Sequence, residues 1–139
     1  MKITILDENN SFDKDEKKNI RSTVLKTLKM LDQLKDIEIC ISFVEDDTIR
    51  ELNKNYRNIN RATDVLSFPQ DGPDFSILGD IVISVDTAKR HTVRYENTYE
   101  FEIKKLIVHG ILHLHGFDHK KKKETIVMRE KEKELLAQI

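Results

Sequence analysis

The chain predicts an α+β fold with helices packed on a four-stranded mixed β-sheet, and three observations lead there. Strand periodicity appears at residues 1–6, 37–44, 63–68 and 77–85, all before residue 86 of 139. Helical periodicity separates the first three strands and then runs on to the C-terminus, giving the order β-α-β-α-β-β-α-α-α. Finally, no repeat and no Pro/Gly/Ser-rich linker divides the chain, whose length is that of one domain.

Composition narrows the class. Charged residues are 35%, hydrophobic residues 38% and the formal net charge is -1, as for a water-soluble protein with a modest core. That balance argues against a wholly basic nucleic-acid coat but leaves local patches open. Cys40 is the one cysteine, so no internal disulfide can form, which suits a reducing cytoplasm. The start Met1-Lys2-Ile3-Thr4-Ile5-Leu6-Asp7 turns acidic too soon for a secretory signal. No run approaches the roughly 20 apolar residues of a membrane span. A cytoplasmic protein without a membrane partner is expected.

Met1, Ile3 and Ile5 alternate as in a half-buried strand. Asp13 and Glu16 form a capping pair, and Ile20, Val24, Leu28 and Leu31 give a helical stripe over 14–32. Ile37, Ile39, Ile41 and Phe43 share one face of the next strand; Cys40 falls on the other and reads as an inert strand thiol. Asp46 and Asp47 are placed to cap a short helix carrying Ile49, Leu52 and Tyr56. The strand 63–68 is followed by Pro69 and should end there or lie at an edge. Residues 70–76, with Gly72 and Pro73, read as a surface loop. Ile81, Ile83 and Val85 mark a strong strand, and Asp86 can cap the helix after it. Asn97 with Glu100 opens the helix whose stripe is Ile103, Leu106, Ile107, Gly110, Ile111 and Leu114. A last helix carries Ile126, Val127, Met128, Leu135 and Leu136.

The chemistry concentrates in His109-Gly110-Ile111-Leu112-His113-Leu114-His115-Gly116-Phe117-Asp118-His119, which holds four of the five histidines. His109 and His113 are one helical turn apart, about 6 Å along the axis, and share a face. Gly116 ends the helix and His119 follows the turn. Three imidazoles so placed can surround a tetrahedral ion and leave its fourth position open, as in catalytic zinc sites. Zinc is the default; nickel, iron or manganese would accept the same donors. His115 lies about 200° round the helix from His113 and points away. His91, between Arg90 and Thr92, reads as solvated. A zinc peptidase of the His-Glu-x-x-His type needs a glutamate where this chain has Gly110. Asp118 is the nearest carboxylate, either as general base or, in the favoured reading, as an acceptor orienting an imidazole N–H.

This stretch resembles the His-Gly-x-Leu-His-Leu-x-Gly-(Tyr/Phe)-Asp-His signature of the YbeY-type endoribonucleases, the bacterial rRNA maturation factors. The resemblance extends to Leu52-Asn53-Lys54-Asn55-Tyr56-Arg57, to Thr63-Asp64-Val65-Leu66-Ser67-Phe68-Pro69, to Leu78-Gly79-Asp80-Ile81, and to Met128 and Glu132 in the last helix. It departs at Ala62, where the family usually has proline, and at Lys120-Lys121-Lys122-Lys123, where the family usually runs acidic. The lysine run reads as a solvated helix start, unfavourable to the helix dipole, or as a phosphate-binding patch beside an RNA cleft.

The resemblance implies one metal-dependent endoribonuclease domain over 1–139 with a zincin-like metal site. It implies one Zn2+ on His109, His113 and His119, and Arg57 as the functional arginine. It further implies single-strand-specific cleavage in maturation of the 3′ end of 16S rRNA, with a role in ribosome quality control. The partners would be rRNA, the small ribosomal subunit and single-stranded RNA, with no DNA expected. Phosphodiester cleavage builds charge that a metal and a guanidinium can both stabilise, which fits Arg57 as a clamp; the alternative is a solvated arginine at a helix end. The nucleophile is open between metal-bound water and the RNA 2′-OH. Other readings are a metallopeptidase or other metallohydrolase, disfavoured by Gly110, and a non-enzymatic ribosome-assembly factor with a structural metal, which would need a fourth protein ligand.

Overall fold

The computed structural model describes residues 1–33, 36–70 and 77–139. Its elements are β1 (Lys2–Leu6), α1 (Lys14–Met30), β2 (Glu38–Val44), α2 (Asp46–Arg57), β3 (Val65–Pro69), β4 (Ile77–Ser84), α3 (Val85–Arg94), α4 (Tyr99–Leu114) and α5 (Lys122–Gln138). This is the predicted order. The surface loop expected at 70–76 lies, apart from Gln70, outside the described residues.

The sheet order is β1-β2-β4-β3. β1 with β2 and β2 with β4 are parallel, while β3 runs antiparallel along β4 at the edge. Pro69 closes that edge strand, where a missing N–H is tolerated. Ile39, Ile41 and Phe43 of β2 and Ile81 and Ile83 of β4 face a core shared with Val24 and Leu28 of α1, Ala88 of α3, and Ile107 and Ile111 of α4. Val82 turns to the opposite face, where Ile49 of α2 and Leu66 of β3 cover it. β4 is thus buried on both sides, which explains its nearly continuous apolar run. Cys40 is half-buried on the α2 side of the sheet plane, and burial first, with Asp80 nearby, raises its pKa against a weak bond from Ser42.

α1 opens as expected: Asp13 Oδ1 accepts from Glu16 N at 2.8 Å, and Glu16 Oε1 accepts from Asp13 N at 3.0 Å. The other caps differ from expectation. The N-cap of α2 is Glu45, with no side-chain bond, and Asp46 lies inside the helix. Asp46 instead accepts from Ser84 Oγ at 2.6 Å and Thr87 Oγ1 at 2.7 Å, and pairs with Arg90 at 2.8 Å. Burial alone would raise its pKa, but these bonds outweigh burial and hold the carboxyl below its usual range. Asp86 does not cap α3; Ser84 does, accepting from Thr87 N at 3.2 Å. Asp86 Oδ2 accepts from Asp46 N at 3.0 Å, so each of the two helices supplies an acid to the start of the other. Thr98, not Asn97, caps α4 through Phe101 N at 3.1 Å.

Asn97 is otherwise engaged. Its Nδ2 donates to Glu102 Oε2 at 3.0 Å, and Glu102 is fully buried. His91 is not solvated either: its ring is 20% exposed and Nδ1 lies 3.3 Å from Glu102 Oε1. A buried carboxylate needs such partners, and the side chains around it supply them. In α5, Ile126 and Val127 are exposed, leaving Met128 and Leu135 to pack on Val108 and Leu112.

Two glycines let α4 and β3 close on β4. A Cβ on Gly110 would meet Ile81 side-chain atoms at 2.8–3.1 Å. One on Gly79, which has φ +148°, would meet Phe68 O at 2.4 Å and Leu114 Cδ2 at 2.9 Å. Gly79→Ala is therefore expected to cost about 2–4 kcal/mol, from strain and overpacking against backbone. Gly110→Ala should cost only about 1–2 kcal/mol, because alanine returns roughly 1 kcal/mol of helix propensity. Urea denaturation of the metal-free protein measures both.

Candidate metal centre

His109 and His113 stand on the last two turns of α4. Behind them Val108, Ile111 and Leu112 are buried, so the helix cannot roll without exposing its apolar stripe. His115 is the C-cap and Gly116 follows at φ 91°. Gly116 N donates to His113 O and Phe117 N to Leu112 O, each at 3.0 Å, the paired bonds of a Schellman stop. Phe117 packs in the same cluster as Leu112, completing the motif's apolar contact. The chain then doubles back. Asp118 Oδ1 accepts from His119 N at 2.7 Å, and His119 O accepts from Thr125 Oγ1 of α5 at 3.0 Å.

The result brings three imidazoles together. Ring centroids are 4.7 Å apart for His109 and His113, 5.8 Å for His109 and His119, and 5.0 Å for His113 and His119. One nitrogen from each lies within 4.8 Å of the others, so the group can hold a metal ion. The Nε2 atoms of His109 and His113 are 3.2 Å apart. Bonds of about 2.0–2.1 Å at tetrahedral angles separate zinc donors by roughly 3.3 Å, so the pair already has a fitting bite. No carboxylate or thiol among the described residues joins the three. His109 and His113 are half-buried and His119 is exposed, which gives the cluster an open side. Burial first, then the neighbouring His109 and His119, lower the pKa of His113 against an opposing effect of Asp118. A neutral ring is the form a ligand needs.

The remaining predicted residues fall as follows. Asp118 is engaged by the backbone N–H of His119, the main cause of its lowered pKa, and so shapes the turn that presents His119. The carboxylate that meets an imidazole is Glu132 of α5, whose Oε1 is 3.0 Å from His109 Nδ1. Sequence reasoning gave Glu132 no role. The available signals were its match to the last helix of the resembling family and its place one turn after Met128, on the face of α5 that packs on α4. His115 points away from the cluster, with Nδ1 2.9 Å from Ile111 O and Nε2 3.0 Å from the Gln33 side chain. Arg57 ends α2, is exposed, and makes no ion pair among the described residues. The ring of its neighbour Tyr56 meets Phe68 edge-on at 5.1 Å, while Ser67 Oγ donates to Gly110 O of α4 at 3.3 Å. The ends of α2 and α4 therefore flank the same edge strand.

The sequence profile of the family described as Endoribonuclease YbeY matches residues 2–139. The chain belongs to this family. An Endoribonuclease YbeY of Thermoanaerobacter sp. (strain X514) is 35% identical over 155 aligned positions, covering 100% of this chain and 98% of its own. That of Caldicellulosiruptor bescii is 38% identical, covering 98% and 96%. That of Aquifex aeolicus is 50% identical over a shorter stretch, 63% of this chain and 60% of its own. Among solved structures, the solution structure of TM1509 from Thermotoga maritima superposes with a TM-score of 0.68 at 31% identity, covering 96% of this chain and 86% of that one. Membership in the YbeY family makes the chain a nuclease-type hydrolase. No helix among the described residues is long and apolar enough to cross a membrane.

The lowered pKa of His113 has a consequence for metal binding. Protons should compete at this ring only below the ordinary histidine value of 6.5. Zinc or cobalt retention, followed by equilibrium dialysis, should hold from pH 8 to about 6 and fall on further acidification.

Proposed function

We propose that the chain is a zinc-dependent endoribonuclease that cuts single-stranded RNA as one cytoplasmic domain over residues 1–139. Its place is in maturing the 3′ end of small-subunit rRNA and in ribosome quality control, with the small ribosomal subunit as partner. The observation that carries this is the three-histidine cluster in a chain of the YbeY family. Three nitrogen donors with no fourth protein ligand among the described residues match a catalytic rather than a structural zinc site. His109, His113 and His119 would hold a divalent ion, which would supply Lewis acidity to the phosphodiester.

The chain's own residues do the rest. His109 and His113 form the rigid arm, set by the hydrogen bonding of α4. His119 closes from the turn that Asp118 braces. Arg57, free of intramolecular ion pairs among the described residues, is available to clamp non-bridging phosphate oxygens in a bidentate manner. Its helix end flanks β3 opposite α4, so a strand of RNA crossing that edge would meet both. Packing against Ile81 supports the RNA reading over peptide hydrolysis: at Gly110, where a peptidase would carry its glutamate, an added Cβ would run into the sheet.

His113→Ala should lose bound metal and RNA cleavage together, by elemental analysis and a single-stranded RNA assay on the same preparation. Cleavage that survives the loss of metal would trace to a contaminating nuclease, and turnover of peptides but not RNA would overturn the reading. Arg57→Ala should retain metal and lower kcat by about 10²-fold, with Arg57→Lys recovering only part. Product ends lacking a 2′,3′-cyclic phosphate are expected, as for attack by water; cyclic ends would assign attack to the RNA 2′-OH.

A further inference from the structure

α5 is attached beside the histidines by a narrow apolar contact. Only Met128 and Leu135 are buried on it, against Val108 and Leu112 of α4. Its N-cap, Lys121, makes no side-chain capping bond, and Lys122 and Lys123 face the positive end of its dipole. Within this narrow interface one polar bond stands out. His109 Nδ1 and Glu132 Oε1 are 3.0 Å apart, the one side-chain hydrogen bond between α4 and α5 among the described residues. It is sheltered: the Glu132 side chain is 15% exposed and that of His109 29%.

The direction of that bond matters. His109 Nε2 faces the Nε2 of His113 at 3.2 Å, inside the cluster. Nδ1 faces outward to Glu132. An ionised carboxylate only accepts, so Nδ1 carries the proton and Nε2 presents its lone pair to the cluster. A neutral imidazole without such a partner is free to hold its proton on Nε2, the nitrogen that must be bare to bind metal.

We propose that Glu132 is a positioning residue that fixes the tautomer and ring angle of His109, and that metal loading is thereby linked to the seating of α5. Glu132 reaches His109 only when α5 lies in its groove. Any gain in metal affinity from the bond therefore returns as an equal gain in α5 docking when metal is bound. The linkage rests on the three histidines being the metal site; the tautomer does not.

The test uses the full chain and zinc or cobalt alone as probe. In the metal-free protein, ¹⁵N shifts of the His109 ring should report a protonated Nδ1 in the wild type. Glu132→Ala should show a substantial Nε2–H population. An unchanged tautomer in Glu132→Ala overturns the positioning role whatever the metal does. In chelator competition, Glu132→Ala should weaken binding about 10–100-fold. Glu132→Gln, which keeps an acceptor and the volume, should weaken it less, and carries the test if the alanine variant does not fold. Equal affinity in both variants overturns the proposal, whereas a wild type that binds no metal overturns the metal site itself. Amide exchange across α5 should slow on zinc addition in the wild type, and much less in Glu132→Ala. Leu135→Ala, which loosens α5 without touching Glu132, should also weaken zinc binding. Faster α5 exchange in that variant at unchanged affinity overturns the linkage.

Discussion

The close approach of α4 to β4 governs the rest of the molecule. At Gly110 the helix backbone lies against the Ile81 side chain with no room for a methyl group, and at Gly79 the strand passes under Leu114 and the end of β3. Interiors this tight do not deform gradually. The helix is therefore fixed in depth and in rotation, with Ile107, Ile111 and Leu114 turned to the sheet. His109 and His113 can then point only towards α5 and the open side. Ser67 adds a bond to the Gly110 carbonyl, so the edge strand is tied to the same turn of helix. The histidine pair inherits the placement of its backbone from this apolar packing.

Much of this was legible because it is periodic. The alternation of Ile39, Ile41 and Phe43 and the stripe of Ile103, Leu106, Ile107 and Ile111 reflect burial on one face, and burial is what the pattern encodes. The i, i+4 spacing of His109 and His113 is local geometry, readable without knowing the fold. Caps were less legible. Asn97 and Thr98 are both competent N-caps, as are Ser84 and Asp86, and the backbone angles choose between neighbours. The unchosen residue is drawn into tertiary bonds, as Asp86 is with α2.

Long-range polar partners were not legible at all. Glu132 and His109 are 23 positions apart on different helices, and only docking of α5 joins them. His91 stands in a polar stretch of sequence yet meets a buried carboxylate 11 positions away. Glu102 looks like an ordinary charge in the first turn of α4, but the groups that make its burial tolerable come from α3 and the connection after it. Ile126 and Val127 err in the opposite direction: their hydropathy suggests a core face that the angle of α5 leaves in solvent.

The left-handed residue at Gly116 divides the histidine cluster between two kinds of support. Nothing lies within 4 Å of a Cβ placed there, so the turn is held by its backbone dihedral, by its two Schellman hydrogen bonds and by Phe117 packing beside Leu112. His109 and His113 stand on a helix packed against the sheet; His119 is exposed and is held by the Asp118 side chain and by Thr125 of α5. An ion held by such a cluster would be selected by donor chemistry and cellular supply rather than by the size of a closed cage.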